Sequence, residues 1–466
     1  MSPRPDSTFL LEAIADVFGG RGDVYPADAA GGAYLHDGTA SRGINGHADA
    51  VAVPYDTGAV ADLLAWCNNN RIPVTVRGGG TGLAGGAVPS GGVVLSLEGL
   101  NRIRSFEPDW WRMEVEAGVT TAEARGLAAG AGLYLPPDPG SAGRSTIGGN
   151  VATNAAGPHS FKYGPFSAWV TGLEVVLASG EILLVGGRVR KDVAGYDLKS
   201  LFVGSEGELG VVTAVRLRLI PMPASRLPAV FSFPNPSAAQ RAMAACMRSG
   251  VSPAAIEFLD AATMRNAGSG LDRITGDGFD EASFVLIVET DGSADEASAS
   301  RRRIASALEP DADGVWLPDD LDQTGELWRW RSQVSDRIVA AAGGKAGEDI
   351  CVPTDRLAEA VEGVHRVAAD AGLEACCWGH AGDGNVHANL LVGPQADQTA
   401  LAATTAKLFE LALSLGGTIT GEHGVGRVKR QALPAQLGPV ATGLNHGLKQ
   451  VFDPNRTLNR REPARY

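Results

Sequence analysis

Two short stretches concentrate side chains able to hold a metal ion and move a proton. Residues 379–390 read GHAGDGNVHANL and residues 420–427 read TGEHGVGR. Asp383-Gly384 is a strong hairpin signal, because a two-residue turn needs positive φ, which glycine adopts without strain. Counting outward from that turn sets His380 directly opposite His387. Directly paired side chains on one face stand about 4.5–5.5 Å apart, so both imidazoles could reach one cation at bonds of about 2.0–2.1 Å. Asn389 follows two residues along and is expected on the same face. In the second stretch Glu422 offers an oxygen ligand and His423 a base. The flanking Gly421 and Gly424 let these neighbours turn to different sides of one site. Three of the eight histidines fall in these two glycine-rich stretches, which favours an acid–base cluster over scattered structural histidines.

Elements must exist to position them. Glycine makes up 61 of 466 residues, about twice the usual ~7%, and it is clustered at 78–92, 140–157, 204–210, 379–384 and 416–426. Gly80, Gly82 and Gly85 in RGGGTGLAGG satisfy GxGxxG after an apolar strand, yet AVPSGG follows and cannot open the helix that a dinucleotide fingerprint requires. A glycine loop between two strands can still cradle a pyrophosphate with successive backbone N–H groups. From 50 to 222 short apolar runs alternate with helical ones, and Pro221, Pro223 and Pro228 mark a break. A second alternation runs from about 225 to 400 and is expected as a sheet with helices on one face. The class expected is α+β, divided as 1–48, 49–223, 224–416 and 417–466.

Composition excludes other classes. The net charge of −13 argues against a protein that binds duplex nucleic acid by neutralising phosphates. No run approaches the roughly 18 apolar residues of a membrane helix. Thr8–Phe18 carries Glu12 and Asp16 and reads as an amphipathic helix, so a cytoplasmic location is expected. The five cysteines form no CxxC pair, which excludes a clustered iron–sulfur motif. Cys376 and Cys377 are expected as small core residues.

Along the chain, RGGGTG at 77–82, PPDPGSAGRSTIGGNVATNAAG at 136–157, YG at 163–164 and KDVAGYDLKSLFVGSEGELGVVT at 191–213 resemble the FAD-binding domain of the vanillyl-alcohol-oxidase-type flavoproteins. The resemblance implies that Arg77, Gly78, Gly79, Gly80, Thr81 and Gly82 wrap a pyrophosphate. It implies that Pro137, Ser141, Thr146, Gly149, Asn150, Thr153, Asn154 and Gly157 line the flavin, with Glu206 and Val212 near its adenine or ring. Thr81 stands where members with covalent flavin carry histidine, so noncovalent FAD is implied.

GHAGDGNVH together with TGEHGVGR resembles the C-terminal, substrate-binding domain of the FAD-linked D-2-hydroxyacid dehydrogenases, which include D-lactate, glycolate and D-2-hydroxyglutarate dehydrogenases. This implies an antiparallel α+β cap domain, His380, His387 and Glu422 as ligands of a divalent metal, usually zinc, and His423 as general base. ELWRWRSQVSDRIV at 326–339 resembles the family's W-x-x-R helix, which makes Arg331 and Ser335, one turn on, substrate residues beside Asn389. Two departures stand out. Gly347 occupies a position where some relatives have lysine, with Lys345 nearby, and Asn459-Arg460-Arg461 replaces Asn-Pro-Gly, with Asn459 as a flavin contact.

The implied reaction oxidises a small anionic 2-hydroxy acid by hydride transfer to flavin. Electrons then pass to a quinone, a cytochrome or an electron-transfer flavoprotein, the last step allowing peripheral attachment to a membrane. A homodimer is an open alternative. Two rival readings are a flavin-bearing subunit of a glycolate-type oxidase and a zinc hydrolase using the same His, His and Glu. The hydrolase leaves the flavin-type glycine segments without a role.

Overall fold

The computed structural model describes residues 7–28, 32–267, 270–276, 278–318, 321–393 and 397–460. Arg461, in the second departure above, lies outside the described residues. The chain forms two compact units. The first comprises residues up to Ala156, Pro165–Met222 and those from Glu422 on; the second comprises Gly157–Gly164 and Pro223–Gly421.

In the first unit, β1 (Gly22–Pro26), β2 (Ala50–Pro54), β3 (Val74–Arg77) and β4 (Val93–Ser96) make a sheet ordered β1-β2-β4-β3. β3 and β4 are parallel, so the glycine loop between them must run back past the end of the sheet. The helix Thr57–Asn70 starts where Asp56 accepts a hydrogen bond from Ala59 N at 2.7 Å. Its buried Val60, Leu63 and Leu64 pack with Leu10, Ile14 and Phe18 of the helix Ser7–Phe18. Each large side chain fully buried there contributes about 1.5–3 kcal/mol.

β5 (Ile103–Glu107), β6 (Arg112–Glu116), β7 (Leu133–Tyr134), β8 (Val170–Val176), β9 (Ile182–Gly186), β10 (Val211–Arg218) and β11 (Ile220–Pro221) follow. Five of them form an antiparallel sheet ordered β5-β6-β10-β8-β9. The C-terminal segment returns to β3: Val74 N donates to Thr457 O at 2.8 Å and Asn459 N to Val74 O at 2.7 Å.

The second unit is built on β12 (Ser225–Phe233), β13 (Ala255–Asp260), β14 (Phe284–Gly292), β15 (Gly314–Trp316), β16 (Lys345–Cys351), β17 (Glu374–His380) and β18 (Asn385–Leu391). They form one antiparallel sheet ordered β15-β12-β14-β13-β17-β18-β16. Helices cover both faces, not one as expected. Val285 and Ile287 of β14 pack with Leu327, Trp330, Val334 and Ile338, while Phe284, Leu286 and Val288, which alternate with them, are equally buried. A strand buried on both sides reads as a continuous apolar run.

Pro228 is not part of the break. It lies inside β12, paired with Glu289 on one side, where β15 reaches only Val230–Ser232 on the other. A missing N–H is tolerated on such an unpaired edge. Gly157–Gly164 joins this unit because His159 Nε2 lies 2.8 Å from Glu289 Oε1, and Lys162 and Tyr163 both bind Asp291.

His365, on the helix Leu357–Asp370, bonds through Nε2 to Asp260 Oδ2 at 2.7 Å. The Asp260 hydrogen bond raises its pKa above 6.5, against the effect of burial. The stabilisation is therefore complete below the unfolded value and fades as pH rises through the raised folded one. The Tm gap between wild type and His365→Gln should be widest at pH 5.5–6 and shrink by pH 9. Cys376 and Cys377 beside it are buried, with thiols pushed up by burial, Cys376 to about 12. No helix among the described residues is long and apolar enough to cross a membrane.

Candidate active site

The first unit contains an open cleft with about 900 Å³ of empty space including its mouth. Three glycine-rich segments wall it: Gly78, Gly79, Gly80, Thr81 and Gly82; Thr146, Gly149, Asn150 and Thr153; and Glu206, Gly207 and Val212. His423 also lines it.

The first two walls pack back to back. A Cβ at Gly79 would lie 2.0 Å from Arg144 O, so no side chain fits between them. Thr146 caps the helix Ile147–Thr153 by accepting from Gly149 N at 3.3 Å. With backbone so exposed, an anionic pyrophosphate would be met by N–H groups. Gly79→Ala should force the two segments apart, lower flavin occupancy severalfold and cost about 1–3 kcal/mol, read from the ratio of flavin to protein absorbance and from Tm.

Other residues of the expected set serve the walls instead. Arg77 does not line the cleft; its Nη1 donates to His36 O at 2.7 Å and its guanidinium lies 5.7 Å from the Tyr34 ring centroid. Asn154 turns the end of its helix at φ 48° and accepts from Ser167 N. Pro137 and Ser141 are not lining residues, and Gly157 belongs to the second unit.

Asn459 clamps the C-terminal return, accepting from Val76 N at 2.8 Å and donating to Glu206 O at 2.5 Å. Glu206 itself, at φ 51°, holds the turn after His423, accepting from Val425 N at 2.7 Å and Gly426 N at 2.9 Å. A non-glycine residue at positive φ persists only where surrounding bonds over-determine it. Here those bonds fix the loop that carries His423.

In the second unit the site is one face of the sheet. Ladder partners point to the same side, and the register pairs Glu257 with His380, Trp378 and Asp349 with His387, and Cys376 and Gly347 with Asn389. His380 is therefore not directly opposite His387. Ala381–Asp383 forms a 3₁₀ turn closed by Gly384 at φ 70°, which lengthens the connection and shifts the pairing by two residues. The rings still meet edge to face, with centroids 5.3 Å apart and donor nitrogens within 4.8 Å.

Glu257, fully buried, accepts from His380 Nδ1 and from Arg331 Nη2, each at 2.5 Å. Burial acts to raise its pKa, but the charges and hydrogen bonds of His380 and Arg331 prevail and hold it below the ordinary carboxylate value. Arg331 is thus tied to a carboxylate. It lies near the end of the helix Leu321–Ser332, and Ser335 lies on the next helix, Val334–Ala342, not one turn along the same one.

Lys345 donates to Asn389 Oδ1 at 2.7 Å with its ammonium 4.6 Å from the Trp378 ring centroid. It stands two residues from Gly347, whose Cβ, if present, would lie 2.5 Å from that same oxygen. Asp349 accepts from Gly421 N at 2.9 Å and from Thr420 Oγ1 at 3.2 Å, anchoring the strand of chain that leads into Glu422. Sequence reading missed Glu257 and Asp349. The signal for Glu257 was present in AAIEFLD, a single carboxylate inside an apolar strand, which demands a partner.

Residues 48–186 match the model of the FAD binding domain, and residues 222–462 match that of the FAD linked oxidases, C-terminal domain. The chain belongs to the FAD-linked oxidase family. Among relatives of this family member, the glycolate oxidase subunit GlcD of Bacillus subtilis is 35% identical over 419 residues, covering 88% of each chain. A D-lactate dehydrogenase of Anaerostipes hadrus is 33% identical over 438 residues, covering 91% of each. A protein of Oryza sativa subsp. japonica named "Probable D-2-hydroxyglutarate dehydrogenase, mitochondrial" is 33% identical over 89% of this chain and 75% of its own. The fold is that of the vanillyl-alcohol-oxidase-type flavoproteins. A 4-ethylphenol oxidase of Gulosibacter chungangensis superposes with a TM-score of 0.77 at 18% identity, over 98% of this chain and 97% of its own.

Proposed function

We propose that this FAD-linked oxidase oxidises a D-2-hydroxy acid of the lactate, glycolate or hydroxyglutarate class to the 2-oxo acid. In this reading FAD is held noncovalently in the cleft of the first unit, and a divalent cation, zinc, is held by His380, His387 and Glu422. The observation that carries it is one of chain connectivity. Gly421 is anchored to Asp349, ladder partner of His387, and His423, two residues on, lines the cleft. In sequence only Glu422, the third residue of the ligand set, separates the two.

When bound, flavin supplies the two-electron acceptor and the divalent cation lowers the pKa of the substrate hydroxyl. The residues do the rest. His380 keeps its Nδ1 proton on Glu257, which leaves Nε2 as the ligating nitrogen. His423 takes the hydroxyl proton on an imidazole nitrogen. Lys345, hydrogen-bonded to Asn389, gives an acidic protein a local positive charge for an anionic substrate, and Arg331, its charge balanced by Glu257, offers the substrate carboxylate a further N–H donor.

The GlcD relative supports a second reading, a flavin-bearing oxidase subunit with the same first half-reaction; this reading requires a partner for turnover with any acceptor. The purified protein decides. Under anaerobic conditions its flavin absorbance should bleach with D-lactate, D-2-hydroxyglutarate or the achiral glycolate, and not with L-lactate or L-2-hydroxyglutarate. Acid precipitation should leave the flavin in the supernatant. Preference for an L substrate, or a colourless preparation, would sink the proposal.

A further inference from the structure

We infer that Glu257 is the positioning residue of the second unit's site: one buried carboxylate fixes the nitrogen that His380 presents to a cation and holds the Arg331 guanidinium on the same face. The inference rests on the cation-binding reading above and goes beyond it. The juxtaposition is built into the register, since Glu257 and His380 are direct ladder partners and their side chains share a face. Each oxygen has its own donor, Oε1 the His380 Nδ1 and Oε2 the Arg331 Nη2. The Arg331 Nε is also buried and has no hydrogen-bond partner among the described residues. A buried donor left open beside a cation site is a place where an incoming anion gains a bond, because such groups are otherwise almost always satisfied.

Glutamine at this position keeps the shape but has one oxygen for two donors. If that oxygen stays with His380, the amide hydrogens face Arg331. If the amide turns, its hydrogens face His380, drive the ring proton onto Nε2 and remove the ligating lone pair. A carboxylate that orients a metal-bound histidine is commonly worth 10–100-fold in metal affinity. A carboxylate that merely neutralises a buried arginine would affect folding and leave metal affinity alone.

The test uses the full chain with its flavin, comparing wild type, Glu257→Gln, Arg331→Met and the double variant. Zinc affinity is measured by competition with a chromophoric chelator, and the cobalt-substituted proteins give the ligand-field spectrum. Glu257→Gln is expected to bind zinc 10–100-fold more weakly and to alter the cobalt bands. Arg331→Met should bind zinc within twofold of wild type and raise KM for the hydroxy acid. The double variant leaves no unpaired buried charge, so it carries the test should Glu257→Gln fail to fold, and its zinc affinity should still fall, because a neutral amide does not raise the basicity of the ligating imidazole as a carboxylate does. Zinc affinity within twofold of wild type in both variants that carry Glu257→Gln overturns the inference and leaves the proposed function standing. Wild type that binds no cation removes both.

Discussion

Replacing His423 by alanine should give a protein that stays yellow but that a D-2-hydroxy acid no longer bleaches at a useful rate. A positioned general base typically contributes 10²–10⁴-fold, so anaerobic stopped-flow reduction should slow by that factor. Flavin content should be close to wild type, because the cleft walls are glycine-rich backbone on several segments and His423 is one side chain among them. Glu206 would keep the loop in place through its bonds to Val425 N and Gly426 N, which do not involve the imidazole. Added metal should not rescue this variant. Reduction within threefold of wild type would remove His423 from the reaction.

Withdrawing the cation should be as severe and reversible. Prolonged dialysis against a chelator is expected to lower the reduction rate at least 100-fold with the flavin spectrum retained, and zinc should restore it. His387→Ala, which takes one of two imidazoles whose donors lie within 4.8 Å of each other, should reproduce the loss and resist rescue at zinc concentrations that reload wild type. Metal analysis of the same samples supplies the check: activity that persists at a metal content below one tenth per chain would refute the metal-dependent half of the proposal.

The histidine motif illustrates how far a sequence count carries. Outward counting from Asp383-Gly384 set His380 opposite His387, whereas the ladder pairs Trp378 with His387. The slip is two residues, and side-chain direction repeats every two, so the face survives an error in register that a one-residue slip would have reversed. Parity was legible; turn length was not, since nothing in AGDG distinguishes a two-residue turn from a 3₁₀ turn. Nor does WRSQVSD contain glycine or proline at Gln333, where one helix ends and the next begins. The parallel β3–β4 pair with its glycine loop was legible in outline, because so many glycines between strands imply close backbone approach. Glu257 was harder. Its partners are 123 and 74 residues away in sequence, and only the order of strands brings them together.

The return of residues 457–459 to β3 bears on any attempt to divide this protein. A fragment ending near Met222 would contain the entire glycine cradle yet lack the clasp on Glu206, the extra bridge on Val74 and the buried Leu458. It would also contain Gly157–Gly164, cut off from Glu289 and Asp291, which hold it. Swapping halves between homologues at the proline-rich junction should therefore yield insoluble chimeras unless the last forty-odd residues travel with the front half and the short inserted strap with the back.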